Sequence, residues 1–109
     1  MGMFDGIIGG MVGAEMVTVV NGFIARHGGV QGVIGQLQSN GFGPTVNSWM
    51  APGQDNAPIA PSQVHQAFGE QTIGELAAKA GITPQELSEK LATVLPQIVT
   101  AHAATPQGQ

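Results

Sequence analysis

ITPQEL, at residues 82–87, is the local pattern in this chain that marks a helix start most clearly. Thr83 is a favoured N-cap residue and Glu86 stands at the third helical position, so the two residues form a capping box. Pro84 fits the first helical position, because an N–H group there would have no partner inside the helix. The isoleucine and leucine at the ends of the stretch have the spacing of a hydrophobic staple. The stretch therefore predicts a helix that begins at Pro84.

Apolar residues continue at helical spacing after this start, as Leu91, Val94 and Ile98. Pro96 lies inside this pattern. Because a proline inside a helix removes one hydrogen bond and clashes with the preceding turn, we expect the helix to kink or end near Leu95.

A second helix is predicted just before this one. Thr72 can cap it, and Gly81 can end it because glycine adopts the left-handed C-terminal conformation without strain. Residues 72–96 are therefore helix-turn-helix-like, with two helices joined by a short glycine turn. If this segment bound DNA, the exposed face of its second helix would enter the major groove. The candidate contact residues on that face are Gln85, Ser88, Lys90 and Thr93.

Helical spacing extends over nearly the whole chain, and no segment has the alternation typical of a strand. Glycine pairs and an Asn-Gly pair interrupt the pattern as helix ends, and the proline-containing stretch 51–60 is typical of a loop. We therefore predict an all-α fold, a compact bundle of five to seven short helices. One domain is expected over residues 1–104, with a frayed tail at 105–109.

The charge balance argues against nucleic acid and anionic membrane surfaces as partners. Three strongly basic residues, Arg26, Lys79 and Lys90, stand against seven acidic residues, for a net charge of −4. DNA-binding proteins commonly neutralise about 6–10 phosphates, which three scattered cations cannot do. DNA binding through residues 72–96 is therefore the alternative hypothesis and not the main one.

Residues 6–25 are apolar and long enough to be weighed as a membrane span. They contain Glu15 and Asn21, and a carboxylate at the centre of a span costs about 2.5–3.5 kcal/mol. We therefore interpret this stretch as a core helix. The four residues at the N-terminus carry no basic side chain of the kind that opens a secretory signal.

No catalytic or metal-binding pattern is present in the sequence. The chain has no cysteine, which excludes disulfides, thiolate metal ligands and cysteine nucleophiles. Its three histidines, His27, His65 and His102, are far apart and lack the spacing of metal ligands. None of its serines lies in a nucleophile elbow. We therefore expect a protein that is not an enzyme and that uses no cofactor or metal.

Phe42, Trp49, Met50 and Pro52 form a cluster that could anchor a protein partner, because aromatic side chains dominate interface energetics. The alternative is that Trp49 fills the core, which the usual burial of large apolar side chains favours. Residues 16–54 contain a single charged side chain. A surface with so few charges favours self-association.

Several short blocks follow one another along the chain: MGMFD at 1–5, HGGVQGV at 27–33, NGFG at 40–43, SW at 48–49, PIAPSQV at 58–64, LPQIV at 95–99 and TPQG at 105–108. This order resembles the YidB-like family of small bacterial proteins. The resemblance implies an all-helical, cytoplasmic domain with a homeodomain-like arrangement of three helices. It implies no known activity, cofactor or catalytic residue.

One residue and one short stretch depart from that family's pattern. Ala60 precedes Pro61 where the family usually has a serine or threonine cap. This change weakens the helix start by about 1 kcal/mol unless another acceptor serves. Residues 100–103 replace the family's usual acidic residue and leucine, which leaves the docking of the last helical turn open.

These observations together predict a protein that works by binding. The main hypothesis is a protein–protein interaction or self-assembly module, whose partner is an unidentified protein or a second copy of the chain. The alternative is a DNA-binding protein that uses residues 72–96. A carrier of a small apolar ligand would need a cavity lined by convergent polar groups.

Overall fold

A computed structural model describes residues 5–51 and 56–104. Seven α-helices and one 3₁₀ helix at Ala14–Met16 account for the regular structure of these residues, which contain no strand. The all-α prediction is confirmed. The helices are α1 Asp5–Val12, α2 Val17–Arg26, α3 Val30–Ser39, α4 Gly43–Met50, α5 Pro61–Phe68, α6 Glu70–Ala80 and α7 Pro84–Ala104.

α7 is the central helix of the bundle. It begins at Pro84 as the capping box predicts, and the Thr83 hydroxyl accepts a hydrogen bond from the Glu86 backbone N–H at 3.0 Å. Helices α1, α3, α4, α5 and α6 all pack against it. Its buried apolar side chains are Leu87, Leu91, Val94, Leu95, Ile98 and Val99.

α7 continues past Pro96 to Ala104, so of the two outcomes expected near Leu95, a kink or an end, the end is wrong. A proline inside a helix costs about 3 kcal/mol. Side chains on both sides of Pro96, including Leu95 and Ile98, are at most 1% exposed. Each of them contributes about 1.5–3 kcal/mol by leaving water. Burial on both sides of the proline therefore outweighs the lost hydrogen bond.

α6 begins at Glu70 and not after Thr72 as predicted, because Gly69 serves as its N-cap. The same glycine, with a φ of 92°, is also the C-cap of α5. Only a residue without a Cβ adopts this conformation readily, and it brings the two helices together with no linker. Gly81 ends α6 in the left-handed conformation, as predicted.

α5 begins at Pro61 after Ala60, which has no side-chain acceptor for the first helical N–H groups. The other half of a capping box is present, because the Gln63 side-chain oxygen accepts the backbone N–H of Ala60 at 2.8 Å. Gln63 therefore partly compensates for the missing serine or threonine at the helix start.

The turn between α2 and α3 brings two backbones into close contact. Gly28 and Gly29 have positive φ angles of 85° and 92°. The chain then returns so closely that a Cβ on Gly32 would lie 1.4 Å from the carbonyl oxygen of His27. This approach explains the glycine-rich block HGGVQG in physical terms, because no side chain fits at Gly32.

The apolar side chains form one core cluster that draws on all seven helices. None of the helices in the two described ranges combines the length and the apolarity needed to cross a membrane. Residues 6–25 contribute Ile8, Val20 and Phe23 to the core as predicted, but they form most of α1, the 3₁₀ helix and most of α2 instead of one continuous helix.

Replacing Gly32 by alanine should destabilise the fold strongly, because the new methyl group cannot coexist with the His27 carbonyl oxygen. Overpacking of this kind costs about 1–3 kcal/mol or more. Gly35→Ala in the same helix is the matched control, since nothing lies within 4 Å of its Cβ position. That change should stabilise by about 0.5–1 kcal/mol. Urea denaturation of both variants checks the pair, and equal effects would contradict the close approach.

Candidate functional site

The structure places Trp49 inside the core, where its side chain is 1% exposed. The indole N–H donates a hydrogen bond to the carbonyl oxygen of Ala57 at 2.7 Å. The prediction of Trp49 as an exposed partner anchor is therefore wrong, and the alternative of a core side chain is correct. The physical reason is that the ring buries a large apolar area while its one polar atom finds a partner.

The residues around Trp49 hold the chain after α4 against α7. The Ser48 hydroxyl accepts the backbone N–H of Ala57 at 2.9 Å. The Thr100 hydroxyl donates to the Trp49 carbonyl oxygen at 2.8 Å, and the Asn56 amide donates to the Thr100 hydroxyl at 3.0 Å. This polar clasp shows that the Ser48-Trp49 block has a structural role. The clasp also holds the C-terminal part of α7 through Thr100, which belongs to the stretch 100–103 that departs from the family pattern.

The other predicted partner-binding residues have different positions. Phe42 and Met50 are half-buried and pack against the core cluster, so only part of each side chain is exposed. Pro52 lies outside the described residues. Of the predicted cluster, Trp49 is therefore a core residue, and Phe42 and Met50 pack against the core.

The four residues predicted to contact DNA also fall into different environments. Gln85 and Thr93 are exposed and Lys90 is half-buried. Ser88 is 1% exposed, because it lies on the core face of α7, and so it cannot contact a base. The prediction of Ser88 as a contact residue is wrong.

The surroundings of the remaining DNA candidates do not suit phosphate. Glu89 lies among these residues and is acidic. Its carboxylate accepts a hydrogen bond from the Gln85 amide, and its backbone carbonyl oxygen accepts one from the Thr93 hydroxyl. Glu86 lies beside it, and Met11 of α1 borders the same surface. An acidic face that is partly covered by another helix repels a polyanion. DNA binding stays a prediction that no finding supports.

No group of three or more His, Asp or Glu side chains within 5–51 and 56–104 could hold a metal ion. The Nδ1 atom of His27 instead donates a hydrogen bond to the Phe23 carbonyl oxygen at 2.8 Å. The His27 ring also packs edge-on against Phe68, with ring centroids 5.0 Å apart. His27 thus has a packing role between α2 and α5.

An open groove of about 460 Å³ lies between α2 and α6, and the sequence analysis did not predict it. We call it the α2/α6 groove. Its walls combine apolar side chains with cationic ones, and both basic residues come from the ends of their helices. The lining residues are Thr18, Val19, Gly22, Arg26, Leu76 and Lys79.

The groove holds two of the three strongly basic residues of the chain, Arg26 and Lys79. Arg26 forms an ion pair with Glu75, with its Nη2 atom 2.6 Å from Oε1. The guanidinium hydrogen bond holds the pKa of the Glu75 carboxyl below its ordinary range, and a hydrogen bond from Gln71 acts in the same direction. Lys79, one helical turn after Glu75, lowers that pKa further. The rim is therefore positive by one charge at neutral pH.

Sequence reasoning missed this groove because its two cations lie on helices that are far apart in the chain. Local spacing does place Gly22 and Arg26 one turn apart on α2, and Glu75 and Lys79 one turn apart on α6. No feature of the sequence, however, indicates that α2 packs beside α6.

Comparison with known proteins identifies the family of this chain. The YidB-like protein family model matches residues 1–109. The chain belongs to the YidB-like family. It is 30% identical over 111 residues to the uncharacterized protein YidB of Escherichia coli K12, across 100% of this chain and 83% of that protein.

A solved structure supports the fold of this YidB-like chain. The homeodomain-like protein of unknown function S4005 from Shigella flexneri superposes with a TM-score of 0.72 at 28% identity. The match covers 77% of this chain and 66% of that chain, just under two thirds. The homeodomain-like arrangement implied by the resemblance is thereby confirmed. Neither relative is described with an activity.

Replacing Ser88 by alanine should stabilise the YidB-like fold by about 1 kcal/mol, because its buried hydroxyl has no hydrogen-bond partner among the described residues. Ser48→Ala is the contrasting variant. It should destabilise by about 1–3 kcal/mol, since it leaves the Ala57 N–H without its acceptor. Thermal and urea unfolding measure both. Loss of stability in Ser88→Ala would mean that the hydroxyl has a partner after all.

The ion pair at the groove rim predicts a pH dependence. Because the pKa of folded Glu75 is lowered, its carboxylate stabilises the folded state above the unfolded pKa. That contribution is lost only as the pH falls through the lowered, folded value. Since both side chains are more than a third exposed, the effect on stability is small. An NMR titration of the Glu75 carboxyl carbon should show a rise in pKa in Arg26→Gln, and an unchanged value would contradict the pairing.

Proposed function

We propose that this protein acts by binding a segment of another protein chain and that the α2/α6 groove is the binding surface. The observation that carries the proposal is the concentration of two of the three strong cations around one apolar groove in an acidic chain. We also propose a cytoplasmic location, which the family resemblance implies.

The groove suits an apolar side chain that is flanked by carboxylates. Val19 and Leu76 offer apolar walls, and Gly22 adds no side chain to the groove, with nothing within 4 Å of its Cβ position. Within the described residues Lys79 forms no ion pair, so its charge is available to an incoming carboxylate. An interface of this kind gains free energy from the apolar contact and specificity from the charges.

Binding is favoured over catalysis by the chemistry of the lining. Thr18 supplies the one hydroxyl among the six lining residues, and the carboxylate at the rim, Glu75, is paired with Arg26, which lowers its pKa and makes it a weak general base. The volume does lie in the range of about 300–1,000 Å³ that small-molecule sites occupy. A small apolar anion is therefore the second candidate ligand.

An NMR titration of the labelled protein with designed probes tests the proposal. The probes are a peptide with one leucine flanked by glutamates, the same peptide with lysines in place of the glutamates, and decanoate. We expect the acidic peptide alone to shift the amide signals of Val19, Gly22 and Leu76. Binding of decanoate but not of the acidic peptide would favour the small-molecule candidate, and no shift with any probe would overturn the groove as the site.

Charge reversal at the groove rim supplies the matched control. Lys79→Glu should weaken the acidic peptide on the order of tenfold or more, because like charges then meet at the rim. Gln66→Glu and Gln97→Glu combined in one variant make the same change in net charge at exposed residues outside the groove, and should leave the affinity unaltered. Equal loss in the two variants would show that net charge, and not the groove, determines binding.

A further inference from the structure

We infer that the protein segment which fills the α2/α6 groove is the surface around Met11 of a second copy of this chain. The inference rests on the proposed function, because it names the partner of the same groove. It follows from a second surface of the molecule, which has the complementary combination of one apolar side chain and acidic neighbours.

Met11 is the exposed large apolar side chain of the described residues, with 41% of its surface accessible. It borders a shallow depression of about 280 Å³ between α1 and α7. We call this surface the Met11 patch. Its residues are Met11, Val12, Glu86, Glu89, Lys90 and Thr93.

The two surfaces are complementary in charge. The patch carries two carboxylates and one ammonium group, so it is negative by one charge. The groove rim, with Arg26, Lys79 and Glu75, is positive by one charge. Methionine is unbranched and flexible, so its side chain adapts readily to an apolar groove. A copy that inserts Met11 between Val19 and Leu76 therefore brings Glu86 and Glu89 towards the groove cations.

The contact joins different faces of the two copies. The groove belongs to α2 and α6, and the patch belongs to α1 and α7, so the two surfaces share no helix. Such a heterologous contact leaves one groove and one patch free after two copies have joined. Association then continues into rings or open chains instead of stopping at a symmetric dimer. The single charged side chain in residues 16–54 leaves little surface charge there to oppose it.

Sedimentation velocity over a wide concentration range tests this inference with charge-reversed full-length variants. Lys79→Glu reverses the groove and Glu89→Lys reverses the patch. Each variant alone should associate at least about tenfold more weakly than the wild type, because like charges then face each other. Glu70→Lys is the matched control, because it makes the same change of charge at an exposed residue that belongs to neither surface. This variant should associate like the wild type.

Complementation decides whether the two surfaces meet. An equimolar mixture of Lys79→Glu and Glu89→Lys should associate again, and so should the double variant, since opposite charges then face each other. Circular dichroism verifies that each variant is folded. Variants that remain dissociated when mixed would overturn the inference, as would association of the wild type that neither single change weakens.

The two proposals fail in distinguishable ways. A wild type that stays monomeric at about millimolar concentration, while the acidic peptide binds the groove, overturns the second copy as partner and leaves the proposed function standing. At that protein concentration, sedimentation velocity detects association with a Kd as weak as about 1 mM. Failure of the peptide together with a monomeric wild type removes both proposals.

Discussion

Burial of α7 along almost its whole length is the interaction on which this structure depends. Helices α1, α4, α5 and α6 each make their largest contact with α7 and not with one another. α7 is therefore the common packing partner of helices that precede it, and its large apolar side chains are buried inside the molecule. The core face of α7 is therefore not available to a partner, and the groove that we propose for binding lies between α2 and α6.

The blocks that carry the family resemblance have mainly architectural roles in this molecule. Gly32 permits the α2–α3 approach, and Ser48 and Trp49 hold the segment at Asn56 and Ala57 against α7. A resemblance that rests on such blocks identifies a fold reliably. It carries no information about activity, because the groove cations Arg26 and Lys79 lie outside every one of those blocks.

The sequence predicted those parts of the fold that local physics determines. The start of α7 at Pro84 and the end of α6 at Gly81 follow from capping and glycine conformation, which act over a few residues. Passage of the helix through Pro96 depended on neighbours from other helices. The groove could not be predicted for the same reason, since its two sides come from α2 and α6, which are separated by three other helices in the chain order. Burial of Trp49 was among the alternatives, because residue type alone does not say which apolar side chains reach the centre.

Gly69 has a structural consequence for the bundle. Its N–H donates to the His65 carbonyl oxygen in the last turn of α5, and its own carbonyl oxygen accepts from the Ile73 N–H in the first turn of α6. The backbone hydrogen bonds of α5 and α6 thus meet at Gly69, and no loop residue separates the two helices. The α6 wall of the groove is therefore joined through one residue to α5, which itself packs against α7.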